Sequence, residues 1–362
     1  MRLRMLCSPG STRGLLLTDP VLRVENLAVT FRTEDEPVRA VRGVDFELAP
    51  GEVLGLVGES GCGKSTVAMA LTGLNRSHNG TIEGAVWFGG RNLLELSDAQ
   101  LREIRGAQIA MIFQDPMTSL TPVHRVGSLI SEVLRAHEPI SRAAARDRAV
   151  ELLEEVGIPD PSHRIDDFPH EFSGGMRQRV MIAMALACRP AILIADECTT
   201  ALDVTIQAQI LRLIRRLRAE YQTAVILITH DLGVVAQLAD RVAVMYAGRL
   251  VEQAESAQLF GSPRHPYTRA LLSSVPRVDR PRATRLQAIA GQPPSMAQDD
   301  AGCAFSPRCA VSTATCSRLP LLEQRGPIAA HLDACWRSRE LIDEAAGQPP
   351  PATVKEPLRG PA

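Results

Sequence analysis

The chain has 362 residues, 45% hydrophobic and 22% charged, with 40 Lys+Arg against 41 Asp+Glu. Such a length predicts two domains or one large domain with an extension, and the mixed composition excludes wholesale disorder and a coiled coil. Near-neutral bulk charge carries no signal for a nucleic-acid binder or for a protein that gathers acidic substrates.

Met1 to Pro20 holds Arg2, Arg4 and Arg13 but only Leu15–Leu17 as an apolar stretch. A secretory core needs roughly 7–15 such residues, so 1–20 reads as an N-terminal arm of a cytosolic protein. Val21–Thr30, Val38–Leu48 and Thr81–Phe88 alternate apolar and polar residues between Gly, Pro and Asn, which predicts half-buried antiparallel strands. Val53–Val57, Ala191–Ala195 and Ala224–Thr229 are almost wholly apolar and suit central parallel strands covered on both faces. Ser141 is placed to cap a helix over Arg142–Val156, closed by Gly157 and by Pro159. The longest apolar run, Val180–Cys188, is far shorter than the roughly 20 residues of a spanning helix, so no transmembrane segment is expected. Ile206, Ile210, Leu213 and Leu217 line one helical face, and Arg212, Arg215, Arg216 and Arg218 form a solvated basic side with no nucleic acid expected on it. Twelve of the 25 prolines fall after Val275, which predicts a loop-rich last quarter ending in a disordered tail over 347–362.

Gly58-Glu59-Ser60-Gly61-Cys62-Gly63-Lys64-Ser65 fits G-x-x-x-x-G-K-[ST] and stands between a buried strand and a helix running to about Leu71, the setting of a phosphate-binding P-loop. Glycines let the backbone wrap close to phosphate oxygens, successive N–H groups point inward, and the helix N-terminus adds positive potential. Lys64 would supply charge to the β- and γ-phosphates and Ser65 a hydroxyl ligand for Mg²⁺, with Thr66 next in the helix. Kinases, GTPases, recombinases and transport ATPases all remain open on this motif alone. The strand Ala191–Ala195 narrows the choice because it ends in Asp196-Glu197, one carboxylate for Mg²⁺ and one for an attacking water.

Phe172-Ser173-Gly174-Gly175-Met176-Arg-Gln-Arg179 resembles the signature loop of ATP-binding-cassette (ABC) ATPases, which no other P-loop class carries. Phe31 at the adenine-stacking position, Gln114 of the Q-loop, Ala201-Leu202-Asp203 of the D-loop and His230 of the switch follow in the family's order, over about Val21 to Val251. Ser173 and the two glycines at a helix start form a second anion nest. In ABC proteins this nest meets the γ-phosphate bound by a partner chain. The stretches 113–127, 195–207 and 264–272 resemble the ATPase subunits of oligopeptide/dipeptide importers, with nickel importers as close relatives. Three residues depart from that pattern: Cys198 where proline is usual, Phe172 where leucine precedes the signature serine, and Thr121 where asparagine is usual. None removes a charged catalytic group, and Cys198 is read as neutral packing beside the site.

Cys303, Cys309, Cys316 and Cys335 crowd into the last quarter with spacings unlike a zinc finger, whose paired ligands stand about two to four residues apart. Four thiolates in a proline-rich stretch suit Zn²⁺ or a [4Fe–4S] cluster whose ligation would help fold it, or they are unligated structural cysteines. Resemblance to the peptide-importer tail favours iron.

The resemblance implies an α/β P-loop ABC core, with an antiparallel β-subdomain and a helical subdomain at about 115–190. The core would span 21–262, followed by a cysteine-bearing extension over 263–346 that it does not need for completeness. Its ligands would be ATP and Mg²⁺, the metal held by Ser65, Gln114 and Asp196, with Glu197, His230 and Gln114 catalytic. It implies a second, homologous ATPase chain in a heterodimer, two integral membrane permease subunits docking near Gln114–Gly127, and indirectly an extracytoplasmic solute-binding protein. The place implied is the cytoplasmic face of the membrane, and the function is energising peptide uptake. Import of nickel or another small solute, or a soluble non-transport ABC ATPase, is the alternative.

Overall fold

Strand β1 (Leu22–Phe31) buries Val24, Leu27 and Val29 while Arg23 and Glu25 face solvent, the period-2 pattern of a sheet with one wet face. It pairs antiparallel with β2 (Val38–Leu48) and β4 (Gly80–Phe88), and the register slips at Asn26, whose φ is 46°. With β5 (Arg91–Asn92) they form a four-stranded sheet in the order β2-β1-β4-β5. The computed structural model describes residues 19–346 apart from 35, 78, 115–118, 199–203, 275–288, 298–300, 327 and 329. Asp203, residues 1–18 of the arm and the tail 347–362 therefore lie outside the described residues.

The apolar runs form the middle of a second sheet. β3 (Val53–Val57), β7 (Ile192–Asp196) and β8 (Ala224–Ile228) are buried at every position. They run parallel with β6 (Ile109–Ile112) and β9 (Arg241–Tyr246) in the order β9-β3-β8-β7-β6. Alternation splits this sheet between two cores. Val53, Val57, Leu193 and Leu227 pack with the helical segments, and Leu54, Leu56, Ile194 and Ile226 pack under the antiparallel sheet.

The helical segments include Val126–His137, Arg142–Glu155 and Gly174–Leu186. Ser141 caps the second by accepting the Ala144 N–H at 3.2 Å, and Gly157 leaves it at φ 76°, as the sequence predicts. The helix Val204–Tyr221 buries Ile210 and Leu213. Among the described residues no helix is long and apolar enough to cross a membrane.

Periodicity did not mark β6, β9 or β10 (Arg249–Glu255) as strands. β6 is only four residues long. β9 and β10 form a hairpin whose two-residue turn, Ala247-Gly248, has φ of 47° and 80°. Positive φ at both positions is the geometry that Asn-Gly normally announces, and alanine in the first place hides it. The extension extends the same sheet: β12 (Leu332–Asp333) pairs with β10 and with β11 (Glu323–Gln324). Its Phe305 is buried against Tyr246 and Tyr267, with ring centroids 5.3 and 5.4 Å apart.

Candidate active site

The loop between β3 and the helix Lys64–Leu71 has a closed back and an open front. A Cβ on Gly58 would stand 2.2 Å from the Met245 carbonyl oxygen, and one on Gly63 2.3 Å from that of Ala40. Both glycines also have positive φ, 154° and 106°, so side chains are excluded by space and by backbone together. Gly61 has nothing within 4 Å of its Cβ position, and Ser60 beside it is exposed. The β9–β10 turn supports the back, with the Gly248 N–H donating to the Cys62 carbonyl at 3.0 Å.

Lys64 is buried, and its Nζ donates to the carbonyls of Gly58 and Glu59, both at 2.9 Å. The ammonium thus folds back along its own loop. Burial, set against the nearby Lys64 charge, raises the Cys62 thiol above its ordinary range. Thr66 is fixed through its carbonyl, which accepts from Asn75 Nδ2 at 3.0 Å.

Ser65 Oγ donates to Asp196 Oδ1 at 3.2 Å. Burial raises the Asp196 carboxyl above the usual carboxylate range, opposed by this hydrogen bond. A hydroxyl beside a buried carboxylate, with no basic side chain among the described residues hydrogen-bonded to the acid, is a donor set that fits a hard divalent cation.

Glu197 lies one residue beyond β7 and adopts a left-handed backbone with φ 49°, a strain of about 1–3 kcal/mol. Its N–H donates to the Ile228 carbonyl at 2.8 Å, which holds the turn in place. The carboxylate then meets two partners: Gln114 Nε2 donates to Oε2 at 2.7 Å, and His230 Nδ1 lies 3.2 Å from Oε1. The structure brings these three residues together, and the Ser65 hydrogen bond to Asp196 joins the phosphate loop to the same strand end. Gln114 is hydrogen-bonded to Glu197 and not to the Ser65–Asp196 pair expected to share Mg²⁺ with it. Cys198 is buried beneath the turn, and burial pushes its thiol up to about 12.

Phe31 ends β1 half-buried and pairs with Val38 of β2, two residues from the Ala40 carbonyl that backs Gly63. Ser173 is exposed and caps its own helix by accepting the Met176 N–H at 3.4 Å. Gly175 packs on Ile206, 2.9 Å from its Cβ position, whereas Gly174 has open space. The signature loop therefore presents its helix start to solvent.

Cys303, Cys309, Cys316 and Cys335 line one narrow pocket together with Phe305 and Trp336. Burial raises the thiols of Cys303 and Cys309 and pushes Cys335 up to about 12. Among the described residues no group of three or more His, Cys, Asp or Glu is arranged to hold a metal ion. The four thiols therefore share a pocket wall but form no metal-ready cluster among the described residues.

Sequence reasoning missed two groups that touch the phosphate loop from the extension. The Tyr267 hydroxyl accepts the Glu59 N–H at 2.8 Å, and Arg308 pairs with the Glu59 carboxylate. These contacts tie the extension to the phosphate loop of the core.

The sequence matches the ABC transporter family over residues 41–200 and the oligopeptide/dipeptide transporter C-terminal region over 251–316. It is 54% identical to a probable peptide ABC transporter ATP-binding protein of Sinorhizobium fredii over 90% of this chain and 97% of that one. It is 49% identical to the oligopeptide transport ATP-binding protein OppD of Salmonella typhimurium, over 93% and 99%. With the dipeptide transport ATP-binding protein DppD of Bacillus subtilis it shares 51%, over 90% and 97%. Among solved structures, a dimeric ATP-binding cassette in a post-hydrolysis state with ADP and Pi superposes with a TM-score of 0.59 at 28% identity, covering 65% of this chain and 98% of that one.

Proposed function

We infer that this chain, which belongs to the ABC transporter ATP-binding proteins of the oligopeptide/dipeptide branch, powers peptide import by hydrolysing ATP between residues 58–66 and a partner's signature loop. The chain is an ATPase subunit, and its fold is the ABC ATPase fold. One observation carries the hydrolytic reading: Gln114, Glu197 and His230 converge beside the Ser65–Asp196 pair.

Lys64 and the N–H groups of 60–65 bind the β- and γ-phosphates, and Phe31 stacks on the base. Ser65 and Asp196 would hold Mg²⁺, which when bound would neutralise charge developing on the phosphoryl oxygens. Glu197 orients the attacking water and draws its proton, held in position by Gln114 and His230. These side chains also sense the γ-phosphate because their contacts cross between separate loops. Ser173, Gly174, Gly175 and Met176 reach a partner's nucleotide, supported by the exposed helix start and by the dimeric state of the solved relative.

The same reading places two permease subunits on the surface around Gln114–Gly127, where Phe113 and Val123 are exposed hydrophobics, and locates the chain peripherally on the cytoplasmic membrane face. A solute-binding protein delivers the peptide from the other side. Cys303, Cys309, Cys316 and Cys335 would be the ligands of a [4Fe–4S] cluster; their shared pocket wall and the all-thiol donor set support this.

Reconstitution with the cognate permease and binding protein tests the function. Labelled di- and oligopeptides should enter vesicles with ATP, and Lys64→Ala should abolish entry. Uptake of nickel with exclusion of peptides would overturn the peptide assignment and leave the ATPase standing.

A further inference from the structure

Glu59, in the first variable position of the phosphate loop, would by itself disfavour the ligand, since a carboxylate beside a triphosphate site repels it. The fold answers this from a segment 249 residues away. Arg308 Nη1 lies 2.6 Å from Glu59 Oε2 and Nη2 lies 2.9 Å from Oε1, a bidentate pair of the geometry that makes Arg–carboxylate contacts strong. The Arg308 side chain is only 5% exposed. Its Nε donates to the Ala290 carbonyl at 2.9 Å and its Nη1 to the Tyr246 hydroxyl at 3.2 Å. Its guanidinium carbon lies 5.8 Å and 6.0 Å from the ring centres of Tyr246 and Phe305.

An exposed ion pair contributes little because both side chains must be ordered to form it. Here the arginine is already fixed by its other contacts, so the ordering cost at Glu59 is what remains. The Glu59 N–H is held in turn by Tyr267, and its carbonyl by Lys64. Backbone and side chain of one loop residue are therefore anchored from both sides.

We propose that Arg308 is a positioning residue for MgATP binding: it neutralises Glu59 and, with Tyr267, fixes the first half of the phosphate loop from the C-terminal extension. This rests on reading 58–66 as the nucleotide site. Arg308 closes the turn Ser306–Arg308 and immediately precedes Cys309 of the thiol pocket, so the extension's conformation is transmitted directly to nucleotide affinity.

A double-mutant cycle on the full-length chain tests the proposal, with Kd for MgATP from a fluorescent ATP analogue and kcat from the assembled transporter. Arg308→Gln leaves a negative charge without its partner and should raise Kd about 10- to 100-fold. Glu59→Gln removes that charge along with the anchor and should raise Kd only about threefold. The double variant should return to the Glu59→Gln value, and in Arg308→Gln kcat at saturating ATP should change by a smaller factor than Kd. The rescue separates positioning from unfolding, because a collapsed extension would not recover on changing Glu59. Arg308→Gln with wild-type Kd, or a double variant as weak as the product of the singles, would overturn the proposal. Lys64→Ala provides the separate control: wild type failing to bind MgATP would sink the site reading itself, whereas binding lost in Lys64→Ala but unaffected by Arg308→Gln would sink only the role of Arg308.

Discussion

Replacing Glu197 with glutamine separates the chemistry of this site from its architecture. Glutamine keeps the length and an oxygen that accepts from Gln114 Nε2, now 2.7 Å from Oε2. Its amide nitrogen can donate to His230 Nδ1, now 3.2 Å from Oε1, if the imidazole takes the other tautomer. The structural loss is then at most one weakened hydrogen bond, about 0.5–1.5 kcal/mol, or roughly tenfold in rate at the upper end. Loss of the proton acceptor is worth about 10²–10⁴ in turnover, or about 2.7–5.5 kcal/mol. The two effects are distinguishable by size. Phosphate release from the assembled transporter at saturating ATP is the assay, with MgATP binding measured in parallel and expected to persist. A loss of tenfold or less would show that Glu197 only holds Gln114 and His230 in place, and would refute its role as base.

Three further outcomes follow from other parts of the molecule. Ser173→Arg adds bulk and charge at an exposed helix start, so it should spare MgATP binding by the single chain but abolish nucleotide-dependent pairing in size exclusion. Monomeric hydrolysis at the assembled rate would refute the shared site. His265 is buried, its Nδ1 accepts the Tyr267 N–H at 3.1 Å, and burial lowers its pKa from 6.5 to about 4. Below pH 6.5 the unfolded chain binds a proton that the folded chain refuses until about pH 4, so stability is full above 6.5 and is lost as pH falls. Urea unfolding should show about 2 kcal/mol less stability at pH 5 than at pH 7, and His265→Gln should flatten that difference. Anaerobic purification should yield iron, sulfide and absorbance near about 400 nm that Cys309→Ser abolishes; zinc alone, or neither metal, would refute the cluster.

The phosphate-facing side of this site is legible in the sequence because it is local. Eight consecutive residues, 58–65, carry the glycines, the lysine and the Mg²⁺ hydroxyl, and the apolar runs before them and before Asp196 announce central strands. Glu197 is readable as a candidate base from its neighbour, but its left-handed backbone is not, since φ 49° at a glutamate goes with the Ile228 contact and not with any local preference. The back of the loop was illegible for a different reason. It is assembled from Ala40, Met245, Gly248, Tyr267 and Arg308, which share no period and lie on the antiparallel sheet, a hairpin and the extension. Within a motif read only for its fixed positions, Glu59 passes as a free letter. In this chain the carboxylate there is met by a cation supplied from 249 residues away. The proline-rich extension hides that cation well, because its strands are two residues long and its arginine stands among cysteines that draw attention to metal. Length and proline content identify the extension as an addition to the core; the Arg308–Glu59 pair joins it to the loop 58–65.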